Sequence, residues 1–152
     1  MKDIDQEIIR FNYDGNFKED DFYVSKSNKQ IFDLLNKWPK WEKNFLNISG
    51  EKFSGKTHLI NIFLKKYKGT KIEANLLCDN DFKKIKIFQN IILENVSEKI
   101  NENLFFTLCN IVEQDNKYLI VTSENSIVSI DFKLSDLKSR SKNFLLQNID
   151  KP

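Results

Sequence analysis

The segment that most constrains this chain is Gly50-Glu51-Lys52-Phe53-Ser54-Gly55-Lys56-Thr57, which fits the pattern G-x-x-x-x-G-K-[ST] at every position. Each fixed position in such a loop has a physical purpose. Glycines let the backbone curl until its N–H groups face phosphate oxygens, the lysine reaches the β- and γ-phosphates, and the Thr hydroxyl binds Mg2+. The loop must also leave a strand and open onto a helix, whose N-terminus adds a positive dipole end. The flanks meet that demand. Phe45-Leu46-Asn47-Ile48-Ser49 is a compact apolar run suited to a buried strand. From Thr57 onward, Leu59, Ile60, Phe63 and Tyr67 share one face of an amphipathic helix closed by Lys65-Lys66 and Gly69. Only four glycines occur in the chain, and two stand in this loop. A surface turn with a solvated lysine would need none of this context.

The remaining elements alternate. A short helix is expected around 30–35, stopped by Pro39, and strands at 70–77, 90–93 and 118–122. Ser97 is the expected N-cap of a helix carrying Ile100, Leu104, Phe105, Leu108, Ile111 and Val112, with a further helix at 135–141 and a last strand at 144–149. Strands and helices at this spacing argue an α/β fold of the P-loop NTPase kind, a parallel sheet flanked by helices on both faces. Residues 1–27 lack periodicity and read as an extended N-terminal segment, leaving 28–152 as the nucleotide-binding core.

Composition narrows the function classes. A chain of 152 residues with 40% hydrophobic content builds one ordinary core. A net charge of +2 with 30% charged residues describes a mixed, solvated surface, unlike the basic face of a nucleic-acid-binding domain. Cys78 and Cys109 have no CxxC spacing and His58 is the sole histidine, which argues against structural zinc; both cysteines read as buried, reduced thiols. No apolar run approaches the roughly 20 residues that cross a bilayer, and the N-terminus is polar, so a cytoplasmic protein without membrane contact is expected.

A P-loop ATPase also needs an acidic residue at the end of a neighbouring strand to hold Mg2+. Leu93-Glu94-Asn95 occupies that place, with Thr57 and Glu94 as the expected metal pair. Asn95 stands where a carboxylate would orient the attacking water, and an amide cannot accept a proton at neutral pH. Nucleotide binding is therefore expected with weak or no intrinsic hydrolysis. His58 joins the nucleotide-binding residues by its place on the first helical turn, with no chemistry assigned to it.

Several segments, in order, carry a wider likeness. Residues 19–28, Trp38-Pro39-Lys40-Trp41, the Gly-Lys-Thr-His-Leu run at 55–59, Leu108-Cys109-Asn110 and Asp136-Leu137-Lys138-Ser139-Arg140 resemble the DnaA-related AAA+ proteins. Within that family they are most similar to the Hda type of DnaA-homologous regulator in its alphaproteobacterial form, over about residues 6–152. The resemblance implies an AAA+ core that binds ATP or ADP with Mg2+. It further implies DnaA and the DNA polymerase sliding clamp as partners, DNA reached only indirectly, an AAA+-type oligomer, and a role in the regulatory inactivation of DnaA after replication has started. Val24 and Asn28 would lie near the adenine, Thr122 or Ser123 on the sensor strand, and Gln6, Ile9 and Phe11 in a clamp-binding motif. Arg140 would be the arginine finger. It is one of two arginines in a chain that otherwise uses lysine, and a finger needs the planar, multi-donor cation that lysine does not reproduce.

The chain departs from the family at Glu94-Asn95, which replaces an acidic pair, and at Glu7, where the clamp motif has an apolar residue. Its end at Pro152 falls where the family's helical lid begins, so a core lacking that C-terminal lid is expected. Two alternatives stay open. A self-contained P-loop ATPase or kinase is disfavoured by Asn95, and a helicase-loader-like replication protein by Trp38-Pro39-x-Trp41 and the Gln6 segment.

Overall fold

A computed structural model describes residues 28–149. Val24, Gln6, Ile9 and Phe11 lie outside the described residues. Five strands, β1 (Phe45–Ser49), β2 (Thr70–Glu73), β3 (Asn90–Val96), β4 (Tyr118–Ser123) and β5 (Leu145–Asn148), form one sheet in the order β2-β3-β4-β1-β5, with every neighbouring pair parallel. The helices are α1 (Lys29–Asn36), α2 (Lys56–Lys66), α3 (Phe82–Ile87), α4 (Glu102–Gln114) and α5 (Ser135–Ser141).

Parallel strands connected by helices bury both faces of their sheet, and the period of two sorts their side chains between them. Leu46, Ile48, Ile92 and Ile120 pack with Ile31, Phe32 and Leu35 of α1 and with Leu59, Ile60 and Phe63 of α2. Phe45, Ile91, Leu93, Leu119 and Val121 point the other way, onto Ile85 of α3, Phe105, Leu108 and Val112 of α4, and Leu137 of α5. The chain is thus an α/β fold with a parallel sheet flanked by helices on both faces. Trp38 and Trp41 close the α2 side, where their rings pack with those of Phe63 and Tyr118.

Several local expectations are corrected. The strand expected over 70–77 ends at Glu73, and single 3-10 turns follow at Ala74–Leu76 and Asp79–Asp81. Helix α3 was not foreseen; six residues give too little of a 3.6-residue period to read. Ser97 does not cap α4. That N-cap is Asn101, whose side chain accepts the Leu104 N–H at 3.1 Å, while Ser97 Oγ accepts the Lys99 N–H within a turn. Cys109 is buried as expected, but Cys78 is exposed. Among the described residues no helix is long and apolar enough to cross a membrane.

Continuing the period of two beyond Ile92 and Ile120 brings Glu94 and Thr122 to the α2 face of the sheet. The polar ends of the central strands and the Gly50–Thr57 loop therefore share one face and one end of the sheet.

Candidate functional site

The loop between β1 and α2 needs its two glycines for different reasons. Gly50 is buried, and a Cβ there would come within 2.8 Å of Ser54 Oγ, 3.1 Å of Ile149 Cβ and 3.2 Å of Ile149 O. Gly55 has open space around it, but its φ of 107° lies in the left-handed region that side chains avoid. From Gly55 the chain enters α2 with no side-chain cap and no acidic residue in the first turn. The positive end of that helix is left to an outside anion.

Lys56 folds back over the loop. Its ammonium donates to the Gly50 carbonyl, to the Glu51 carbonyl at 2.9 Å and, more weakly, to Ser54 Oγ at 3.5 Å. Partial burial lowers its pKa from the ordinary 10.5, opposed by the negative charges of Glu124 and Glu94. Such a lysine gains by exchanging neutral carbonyls for phosphate oxygens, because an acceptor of opposite charge adds Coulomb attraction to the hydrogen bond. Phe53 also stands in the loop with a left-handed φ of 64°, its side chain fully exposed.

Strand ends complete the site. Thr57 Oγ1 lies 3.5 Å from Glu94 Oε2, and the Lys71 ammonium lies 3.8 Å from Glu94 Oε1. A hydroxyl and a carboxylate side by side are the hard oxygen donors that Mg2+ prefers, and the ion keeps several waters of its own. Thr57 and Glu94 therefore fit the metal, which when bound would neutralise phosphate charge. The Asn95 N–H donates to Thr122 Oγ1 at 3.0 Å. Ser123 joins the loop through its backbone, its carbonyl accepting the Gly50 N–H at 3.0 Å. A cleft of about 880 Å3 runs along this end of the sheet, lined among others by Lys56, Thr57, His58, Asn95 and Glu124.

The structure thus brings residues 50–58, Glu94, Asn95, Thr122 and Ser123 to one end of the sheet. Asn28, buried at the start of α1, belongs to the helix layer on the α2 face. Arg140 lies elsewhere. Its guanidinium donates from Nη1 to Glu113 Oε1 at 3.0 Å and from Nη2 to Asn110 Oδ1 at 2.7 Å, and it stands 5.7 Å from the Phe45 ring and 5.8 Å from the Phe106 ring. Phe45 opens β1 whereas the loop follows its last residue, so Arg140 and the loop are separated by the strand's length, about 16 Å at 3.3 Å per residue.

No family model matches the sequence, and no curated protein matches it either. Solved structures do match. AMPPCP-bound DnaA from Aquifex aeolicus superposes with a TM-score of 0.72 at 21% identity, covering 85% of this chain and 48% of that one. Domain III of the Thermotoga maritima replication initiation protein DnaA gives 0.71 at 16% identity, covering 93% and 70%. DnaI gives 0.66 at 13% identity, covering 97% and 92%. The chain has the fold of the DnaA AAA+ domain. It spans about half the length of the Aquifex DnaA structure.

Within this DnaA-type fold the sequence reading missed three charged residues at the site. Glu73 ends β2 as the register partner of Glu94. Lys71, two residues earlier on the same face, bonds Asn61 of α2 at 3.2 Å besides meeting Glu94. Glu124 follows the last residue of β4 and is the foremost charge acting on Lys56. Glu73 and Glu124 sit at or just beyond a strand's C-terminal end, and that position was the available signal once the strands were aligned; Lys71, inside β2, carried no such signal.

Proposed function

We propose that the chain binds ATP or ADP with Mg2+ at residues 50–58 and serves as a DnaA-homologous regulator. On this reading the core of residues 28–152 meets ATP-charged DnaA and promotes hydrolysis of the ATP that DnaA holds. The segment 1–27 tethers it to the sliding clamp through Gln6, Ile9 and Phe11, and DNA is reached only through the clamp. Val24 and Asn28 face the adenine. Thr122 or Ser123 senses the γ-phosphate, and an AAA+-type contact between the two proteins forms the working unit.

The observation that carries this reading is the opposed placement of Arg140 and the phosphate loop. A guanidinium at the far end of β1 cannot reach its own chain's γ-phosphate, but it can reach one presented by a neighbour. The uncapped α2 N-terminus and the inward-folded Lys56 support nucleotide binding. Asn95, which cannot itself act as a base, fits slow hydrolysis on this chain beside an output at a partner's site.

The test adds the purified protein to ATP-charged DnaA on clamp-loaded DNA and follows phosphate release. Release should accelerate only when chain, clamp and DNA are all present. Unchanged release, with nucleotide binding confirmed by calorimetry, would sink the regulator reading and leave the nucleotide site standing. A second reading, a helicase-loader-like protein, draws on the likeness of fold to DnaI. Stable capture of a replicative helicase, with no effect on DnaA, would favour it.

A further inference from the structure

The carboxylate missing from position 95 of β3 is present on β2. Glu73 and Glu94 are register partners on adjacent parallel strands, so both side chains leave the sheet on the α2 face. Asn95 follows in the irregular stretch between Leu93 and Val96, with a left-handed φ of 63°. Its side chain donates from Nδ2 to both Glu73 oxygens, at 3.1 Å each, and its backbone N–H donates to Thr122 Oγ1 at 3.0 Å. One asparagine thereby holds the carboxylate of β2 against the hydroxyl of β4. Asparagine tolerates the left-handed conformation better than most residues do, and here bonds on both its backbone and its side chain keep it there.

We propose that Glu73 is the base for hydrolysis of ATP bound to this chain, with Asn95 as its positioning residue. The inference rests on the nucleotide-binding reading above and deepens it. As the water oxygen bonds to the γ-phosphorus, the bond from that phosphorus to the β,γ-bridging oxygen breaks and its electron pair leaves with ADP. The water's proton passes to the Glu73 carboxylate. The two glutamates divide the work by their neighbours. Glu94 is buried beside the Thr57 hydroxyl, the oxygen pair that fits the metal, and its other oxygen is already drawn to the Lys71 ammonium, so it is less free to meet a water. Glu73 is held by a neutral amide, which orients it without cancelling its charge and takes one lone pair on each oxygen, leaving others for water. Turnover is slow because the amide must share that carboxylate with the water.

Single-turnover hydrolysis, with protein in excess over radiolabelled Mg-ATP, tests this beside the affinity for a fluorescent ATP analogue. Glu73→Gln should slow hydrolysis by about a hundredfold, a typical loss for a general base, and leave affinity within about twofold. The decisive variant exchanges the pair: Glu73→Asn alone should be as slow as Glu73→Gln, and Glu73→Asn with Asn95→Glu should recover most of the rate. A purely structural pair would show no such rescue. Wild-type rate in Glu73→Gln, an exchange no faster than Glu73→Asn, or a wild type that binds ATP and releases no phosphate would each overturn the assignment. Absence of analogue binding would instead strike the nucleotide reading and take this inference with it.

Discussion

The Thr57 hydroxyl lies 3.5 Å from Oε2 of Glu94, joining the phosphate loop to the end of β3. On the carboxylate's other side stands Lys71, at 3.8 Å, a cation against the group proposed to hold the metal. On that reading Lys71 should compete with Mg2+ for Glu94. Nucleotide affinity with and without Mg2+ should differ little in Glu94→Gln. Lys71→Met should widen the difference severalfold and no more, since the lysine is partly exposed and such pairs are worth about 1 kcal/mol or less. Calorimetry in magnesium and in chelator reads both variants, and an unchanged magnesium effect in Glu94→Gln excludes Glu94 from the metal.

Lys56→Ala should weaken ATP and ADP binding by about 2–4 kcal/mol, as for a charge-assisted phosphate contact in a partly desolvated loop. Affinity should also depend on pH in a definite direction. Burial lowers the Lys56 pKa from 10.5, so the ammonium begins to lose its proton, and phosphate affinity with it, at a pH where an ordinary lysine is still charged. Stability moves oppositely. A base with a depressed folded-state pKa carries its burial cost fully at low pH, and the cost is relieved between the lowered value and 10.5. Lys56→Arg should flatten the affinity profile on the alkaline side. Wild-type binding that holds constant to pH 10.5 would contradict this.

Phe53 is a bulky residue in a left-handed conformation, with a side chain that buries nothing in the described structure. Left-handed backbone costs a residue with a Cβ about 1–2 kcal/mol, whereas glycine loses more chain entropy on folding by about 0.5–1 kcal/mol. Phe53→Gly should therefore leave stability unchanged or raise it by up to about 1 kcal/mol, read as the midpoint of chemical denaturation. A clear loss of stability would show that the phenyl ring packs against something.

Legibility in the sequence followed the length of each signal. Phe45–Ser49 is a strand with those bounds because an apolar run meets a glycine, and α2 follows from Leu59, Ile60 and Phe63 on one face. Glu94 was assigned to the strand end from order alone, and the sheet's period of two turns it toward α2. Glu73 was not legible as a site residue, since its value depends on pairing with β3, a contact distant along the chain. Lys71 and Glu124 were hidden for the same reason, as members of a large background of charged residues that only the register of β2 and β4 singles out. Asn101 displaced Ser97 as the α4 cap because β3 runs on to Val96 and Ser97 is spent on the turn that follows.

Arg140 makes the sharpest claim on the proposed partner. Its guanidinium rests near the Phe45 and Phe106 rings and is held by Asn110 and Glu113, which take one N–H from each terminal nitrogen and leave the remaining donors of the fork. Arg140→Ala removes that packing and leaves Asn110 without its donor, which should cost about 1–3 kcal/mol of stability. Assays therefore belong well below the variant's melting temperature. The variant should bind ATP and ADP as wild type does, because the phosphate loop lies at the other end of β1. Stimulation of DnaA-bound ATP hydrolysis should vanish, an effect of about 10³–10⁵-fold where arginine fingers act. Arg140→Lys should rescue little, since an ammonium lacks the planar fork that can serve Asn110 and a phosphoryl oxygen together. Glu113→Gln keeps an acceptor for Nη1 while removing the competing charge, so it should retain stimulation and separates the finger's anchoring from its chemistry. Full stimulation by Arg140→Ala would place the finger elsewhere and leave the regulator reading without its main support.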